Sequence, residues 1–302
     1  KVLLTKVLLQ NPGILILDEP TNYLDENHIN WLRNYLNEFE NVLREISQKI
    51  ILYALSQTSF FKNAAFYGGT CLRIFHNLDR FSEDLDFQVI SEDYKLDFDQ
   101  YMSKCINVLE SYGLKATVYT KPDYDKGEVR RRYIKISHYD LANEYFSVIS
   151  MNKEKLVSIK IEVSTKFIPG AKYEMKLLNS PMFSNIYCFD YSSLFAGKLN
   201  ALITRNWRER TKGRDYFDYM FYLSHNVKFN LEFLKNKLKY SLDEDTSKFT
   251  IDNIKELLKN KFEESNFESL KADIIPFVDL NYNINNIDKN MFINSIEYLE
   301  CD

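Results

Sequence analysis

Glycine and proline are scarce: the 302 residues hold eight of the first and six of the second. No flexible or proline-rich linker therefore marks a domain boundary, and no low-complexity tract or internal repeat is present. Cysteine is scarcer still. Cys71, Cys105, Cys188 and Cys301 form no CxxC pair, which argues against a disulfide framework and suits free thiols in a reducing compartment. His28, His76, His138 and His225 are equally scattered, so a Cys/His zinc centre is not expected. No apolar run reaches the ~18 residues of a membrane span, and no charged-then-apolar leader opens the chain, so the expectation is a cytoplasmic protein. Excess positive charge is also missing. A net charge of −4 gives no general affinity for nucleic acid, and any such affinity must come from a local patch.

What is present is a globular composition, 45% hydrophobic, 15% aromatic and 27% charged, enough for one large domain or two modest ones. From Asn27 to about Ser59 apolar residues recur at three- and four-residue steps and predict a helix. "AAFYGG" predicts a short buried strand ending in a glycine turn, "TCLRIFHNL" a helix, "DLDFQVI" an alternating strand, and "FDQYMSKCINVLESYG" a helix closed by Gly113. Strands are expected at "LKATVYT", "RRYIKIS", "LVSIKIEVS" and "YEMKLLN". From Tyr191 onward every segment has helical spacing. The pattern predicts an α+β core with a mixed sheet over residues 41–190, then a helical domain over 191–302.

The most recognisable string is "GILILDEPTNYLDE". An apolar strand ending in Asp18 and Glu19 suits Mg²⁺ binding and water polarisation in an ATPase, but that chemistry needs a phosphate cradle. Gly197-Lys198 is the only Gly-Lys pair; Leu199 follows it, and Ser192 stands where the cradle's first glycine belongs. About the first 40 residues resemble the Walker B region of ABC-F ATPases. With half a nucleotide site the expectation is a fusion or truncation remnant, or a retained docking segment, without ATPase roles for Asp18 and Glu19.

"FYGGTCLRIFHNLDRFSEDLDFQV" carries more chemistry. Gly68 and Gly69 lie between a strand and a helix, where backbone N–H groups make an anion site and glycine permits close approach. Asp84 and Asp86 stand two apart on a strand, on one face and ~7 Å apart along it, with Leu85 and Phe87 turned to the core. Adjacent carboxylates repel unless they share a cation, and Mg²⁺ (or Mn²⁺) is the natural guest. In "VSIKIEVST" Lys160, Glu162 and Ser164 share one face, so Glu162 completes the metal site if this strand is the neighbour. These are the parts of metal-assisted nucleotidyl transfer.

"FYGGTCLRIF" and "LDRFSEDLDF" resemble the AbiEii/AbiGii-type toxins, nucleotidyltransferases of abortive-infection and type IV toxin–antitoxin systems with a DNA polymerase β-like fold. The resemblance runs from about residue 41 through the helical tail. It implies an NTP substrate, an RNA acceptor with tRNA 3′ ends foremost, and a cognate antitoxin. It casts Ser82, Asp84, Lys198 in "LFAGKLNAL" and Asp215 in "KGRDYFDYMF" as essential, with Gly68, Gly69, Thr70, Lys198 and Arg214 at the nucleotide. Two other outcomes stay open: the same site modifying a protein side chain, or a module that binds nucleotide without catalysis.

Two basic runs are candidate acceptor contacts: Arg205, Arg208, Arg210 and Lys212 around Trp207, and Arg130, Arg131, Arg132 with Lys135. The bland expectation for each is a solvated basic loop. Tyr216, Phe217, Tyr219, Phe221 and Tyr222 are expected to pack a helix, and Asp218 is either a site residue or an ion-pair group.

Overall fold

The computed structural model describes residues 26–137, 156–205, 212–278 and 287–302. Asp18, Glu19, Trp207, Arg208 and Arg210 lie outside them. Helix α1, Glu26–Ser56, follows the predicted three- and four-residue periodicity and leads to strand β1, Ala64–Tyr67. Then come α2 (Gly68–His76), β2 (Leu85–Val89), α3 (Phe98–Ser111), β3 (Ala116–Tyr119), β4 (Val129–Ser137), β5 (Leu156–Ser164), β6 (Tyr173–Leu178) and β7 (Ser184–Phe189). The remaining described elements are helices: α4 (Tyr191–Thr204), α5 (Gly213–Ser224), α6 (Leu231–Leu242), α7 (Ile251–Glu264), α8 (Phe267–Ile274) and α9 (Lys289–Ser295). Among the described residues no helix is long and apolar enough to cross a membrane.

The seven strands form one mixed sheet in the order β3-β4-β5-β2-β1-β7-β6. β2 runs parallel to β5 and antiparallel to β1, while β1 runs parallel to β7. Alternation divides β5 as expected: Val157, Ile159, Ile161 and Val163 are buried, and Lys160 and Glu162 turn to the other face. α1 packs against β5, β7 and α3, covering the apolar side with Ile50, Ile51, Leu52 and Leu55. Phe60, Phe66 and Phe87 meet beneath β1 and β2, with Phe87 4.8 Å from Phe60 and 5.2 Å from Phe66 between ring centres. The five aromatics of α5 are all buried, as their helical spacing required.

Two expectations need correcting. β7 was not foreseen, because Ile186, Cys188 and Phe189 are all buried and leave no clean alternation to read. The Arg130–Lys135 run lies on the expected strand, β4, but it is not all solvated. Its Arg132 is buried, bonded to Asp125 at 2.8 Å and Asp99 at 3.2 Å over the Phe98 ring.

Candidate active site

The sheet and the helices after it enclose a cleft of about 230 Å³. Gly68, Gly69, Ser82, Asp84, Asp86, Glu162, Lys198, Arg214 and Asp215 all line it. Of the expected site residues only Thr70 does not. It is buried in the first turn of α2, and its hydroxyl donates to the Asp84 carbonyl, tying the glycine turn to the carboxylate strand.

β1 ends at Tyr67 and α2 starts at once with Gly68 and Gly69. Gly68 has φ +87°, and a Cβ there would lie 2.5 Å from Asp86 Oδ2. Glycine thus serves both the left-handed turn and the close approach of the carboxylate. The helix start is bare. Side chains cap α3, α4, α6, α8 and α9, and α7 has a capping box. α2 has neither a side-chain cap nor an acid in its first turn. Its first N–H groups therefore keep their donors for an anion in the cleft.

The carboxylates come from the sheet. Asp84 immediately precedes β2, Asp86 lies on it, and the register sets Asp86 directly beside Glu162 of β5. Lys160, two residues before Glu162 on the same face, puts its Nζ 2.9 Å from Asp84 and 3.1 Å from Glu162. Glu162 also takes Arg131 from β4 at 2.5 Å. Burial raises the Glu162 pKa, but Arg131 and Lys160 more than offset it and hold the group low. Asp86 has no such relief. Burial first, then the charges of Asp84 and Glu162, push it up to about 7, against partial relief from Lys160 and Lys198. Asp84 is also raised, mainly by burial.

The opposite wall comes from helices α4 and α5. Lys198 Nζ lies 2.8 Å from Asp215 and 2.7 Å from Asp218. Arg205 approaches Asp215 at 2.5 Å. Arg80 grips Asp218 with two bonds of 2.6 Å, so Asp218 is an ion-pair group that also meets Lys198 of the cleft. Burial alone would raise Asp215, yet Lys198 and Arg205 outweigh it and hold its carboxyl well below the usual range. Arg214 donates to Glu83 at 2.8 Å and lies over the Phe277 ring at 4.1 Å.

Sequence reasoning missed two of the cations that organise these acids, Lys160 and Arg80. Lys160 was signalled by sharing a strand face with Glu162. Arg80 carried no local signal, because its partner is 138 residues away.

Among the described residues no three His, Cys, Asp or Glu side chains converge as a ready metal site. The donor set nevertheless fits Mg²⁺, which is commonly held by one or two carboxylates completed by substrate phosphates. Asp86 is a hard, part-buried oxygen donor whose charge its neighbours do not offset, the state a divalent cation would relieve.

Residues 50–289 match the family described as "Nucleotidyl transferase AbiEii toxin, Type IV TA system". The chain belongs to this family. Two solved structures are distantly similar. JHP933 of Helicobacter pylori is 19% identical with TM-score 0.47, covering 85% of this chain and 88% of that one. The nucleotidyltransferase toxin MenT4 of Mycobacterium tuberculosis is 14% identical with TM-score 0.47, covering 87% and 94%. Neither is close enough to transfer a residue's role.

The N-terminal segment matches other proteins. It is 64% identical over 50 residues to the uncharacterized ABC transporter ATP-binding protein YfmM of Bacillus subtilis, covering 17% of this chain and 10% of that protein. It is 43% identical over 47 residues to the energy-dependent translational throttle protein EttA of Escherichia coli, covering 16% and 8%. The chain spans about a tenth of the length of these curated relatives.

Proposed function

We propose that this cleft transfers NMP from an NTP to a hydroxyl of an RNA acceptor, with a tRNA 3′ end the foremost candidate. The observation that carries this is the bare N-terminus of α2 set directly against the Asp84–Asp86 pair. A phosphate donor and a cation site meet there. Asp84 and Asp86 are the residues to hold Mg²⁺ or Mn²⁺. A divalent ion so held supplies Lewis-acid activation of a hydroxyl and neutralises phosphate charge.

The chain's own groups do the remaining work. The helix start at Gly68 and Gly69, with the Ser82 side chain, receives the phosphate oxygens. Lys198 faces the triphosphate from the helical wall, held in place by Asp215 and Asp218; Asp215 is then a positioning acid. Arg214 stands on the same side and can exchange Glu83 for a phosphate. In the transfer the acceptor oxygen bonds to the α-phosphorus, the bond to the β-phosphate oxygen breaks, and pyrophosphate leaves. The hydroxyl proton passes to water or to a carboxylate of the cleft. Glu162, held by Arg131 and Lys160, completes the metal site only by exchanging one of them. A cognate antitoxin is the partner that the toxin–antitoxin family implies, and a cytoplasmic location goes with it.

The test is incubation of the protein with Mg²⁺, each α-labelled NTP in turn, and total RNA. Label in RNA with release of pyrophosphate is expected. Label that persists with Asp84→Ala/Asp86→Ala, or that migrates with protein instead, contradicts the proposal.

A further inference from the structure

The active-site face of the sheet continues beyond Glu162. Strand register carries it outward in rows. Asp86 pairs with Glu162, and Glu162 with Arg131 of β4. One row along, Lys160 pairs with Tyr133, and Tyr133 with Tyr119 of β3. In the next row Ser158 pairs with Lys135, and Lys135 with Thr117. Ile134, Ile136, Val157 and Ile159 take the opposite, buried face. Tyr119, Tyr133 and Lys135 therefore share a surface with the catalytic carboxylates.

Tyr124, from the short turn Pro122–Asp125, completes a group of three rings. Its centre lies 5.5 Å from Tyr133 and 6.4 Å from Tyr119, and Tyr119 lies 6.4 Å from Tyr133. None of the three belongs to the hydrophobic core or packs against it, and Tyr119 is 37% exposed. Aromatic rings outside a core at the edge of a sheet need another reason to be there.

The charge around them is positive. Lys135 and Lys121 hold their ammonium groups 4.3 Å and 5.8 Å from the Tyr119 ring centre. The neighbouring acids already have cations: Asp123 has Lys126, Asp125 has Arg132, and Glu162 has Arg131 and Lys160. Among the described residues no carboxylate forms an ion pair with Lys121 or Lys135. Rings beside unmatched lysines suit a single-stranded nucleic acid, whose bases stack and whose phosphates take the ammonium groups.

We propose that Tyr119, Tyr124 and Tyr133, with Lys121 and Lys135, form the platform on which a single-stranded stretch of the RNA acceptor stacks while its end enters the cleft. The platform rests on the RNA-acceptor function proposed above. Tyr119 lies three strand spacings across and two residues along from Asp86, ~16 Å, so a strand crossing the sheet passes Lys160 and Arg131 on its way in.

The experiment uses the full chain and a fluorescein-labelled single-stranded oligoribonucleotide of mixed sequence, followed by anisotropy, beside the RNA-labelling assay. Tyr119→Ala is expected to weaken RNA binding about tenfold and Tyr119→Phe by less than about twofold. Lys135→Gln is expected to lower the slope of log affinity against log salt by about 0.7. The affinity for NTP should stay within about twofold in all three, which separates loss of the platform from loss of the fold. If the wild type binds and labels RNA but Tyr119→Ala and Lys135→Gln bind it equally well, the platform is overturned and the proposed function stands. If the wild type neither binds nor labels RNA, both fall. If label goes into a protein acceptor and Tyr119→Ala reduces that transfer, the surface is real but its occupant is not RNA.

Discussion

The two walls of the cleft hold their acids in opposite states. On the helical wall Asp215 and Asp218 are each gripped by two cations, drawn from Lys198, Arg205 and Arg80. Asp215 is held low despite burial. On the sheet wall Asp84 and Glu162 share Lys160, and Asp86 is left at about 7. The helical wall is electrostatically complete with the protein's own groups. The sheet wall is one positive charge short, beside a helix start that offers N–H donors to phosphate. The proposed nucleotide chemistry sits where the protein leaves the charge unbalanced.

The largest effect should come from emptying the sheet wall. Asp84→Ala/Asp86→Ala is expected to lower nucleotidyl transfer on the order of 10³-fold while leaving the circular dichroism spectrum and melting cooperativity intact. Asp215→Asn attacks the other wall by leaving Lys198 and Arg205 facing a neutral group. Its melting temperature should fall by roughly 5–10 °C and transfer by about 10²-fold through misplacement of Lys198. The contribution from Asp215 is present above the ordinary carboxylate pKa and is lost as pH falls into the acid range.

Asp86 should behave in the opposite sense. Its folded pKa is raised, so without metal the folded state loses stability as pH rises from about 4 to about 7. Metal-free Asp86→Asn is expected to melt about 2–4 °C higher than wild type at pH 7.5 and to show no gain at pH 4. Mg²⁺ should raise the wild-type melting temperature at pH 7.5, with the increment shrinking toward pH 5, measurable by scanning fluorimetry. Lys160→Met gives the smallest change: it removes the one cation shared by Asp84 and Glu162, so the Mg²⁺-induced shift should grow by about 1–2 °C.

Much of the sheet wall was legible because strand periodicity is a local signal. Asp84–Leu85–Asp86–Phe87 and Lys160–Ile161–Glu162 each state which side chains share a face. That the two segments are neighbours was a condition the sequence could only pose, and the β2–β5 register meets it. The helical wall was legible residue by residue, through Lys198 and Asp215, but not as a network. The Arg80–Asp218 pair joins positions with no common periodicity. Arg132 shows the reverse failure: three arginines in a row look like a surface patch until Asp99 and Asp125 arrive from elsewhere in the chain. The Walker B-like string, although the easiest to recognise, lies outside the described residues.

The division between the walls is tested most directly by titrating Mn²⁺ into the metal-free, nucleotide-free full chain at pH 7.5, followed by electron paramagnetic resonance. Wild type should bind, Asp86→Asn should bind at least about tenfold more weakly, and Asp215→Asn should stay within about twofold of wild type. Equal weakening by both substitutions, or full affinity in Asp86→Asn, would contradict the claim that the sheet wall alone is built around a missing cation.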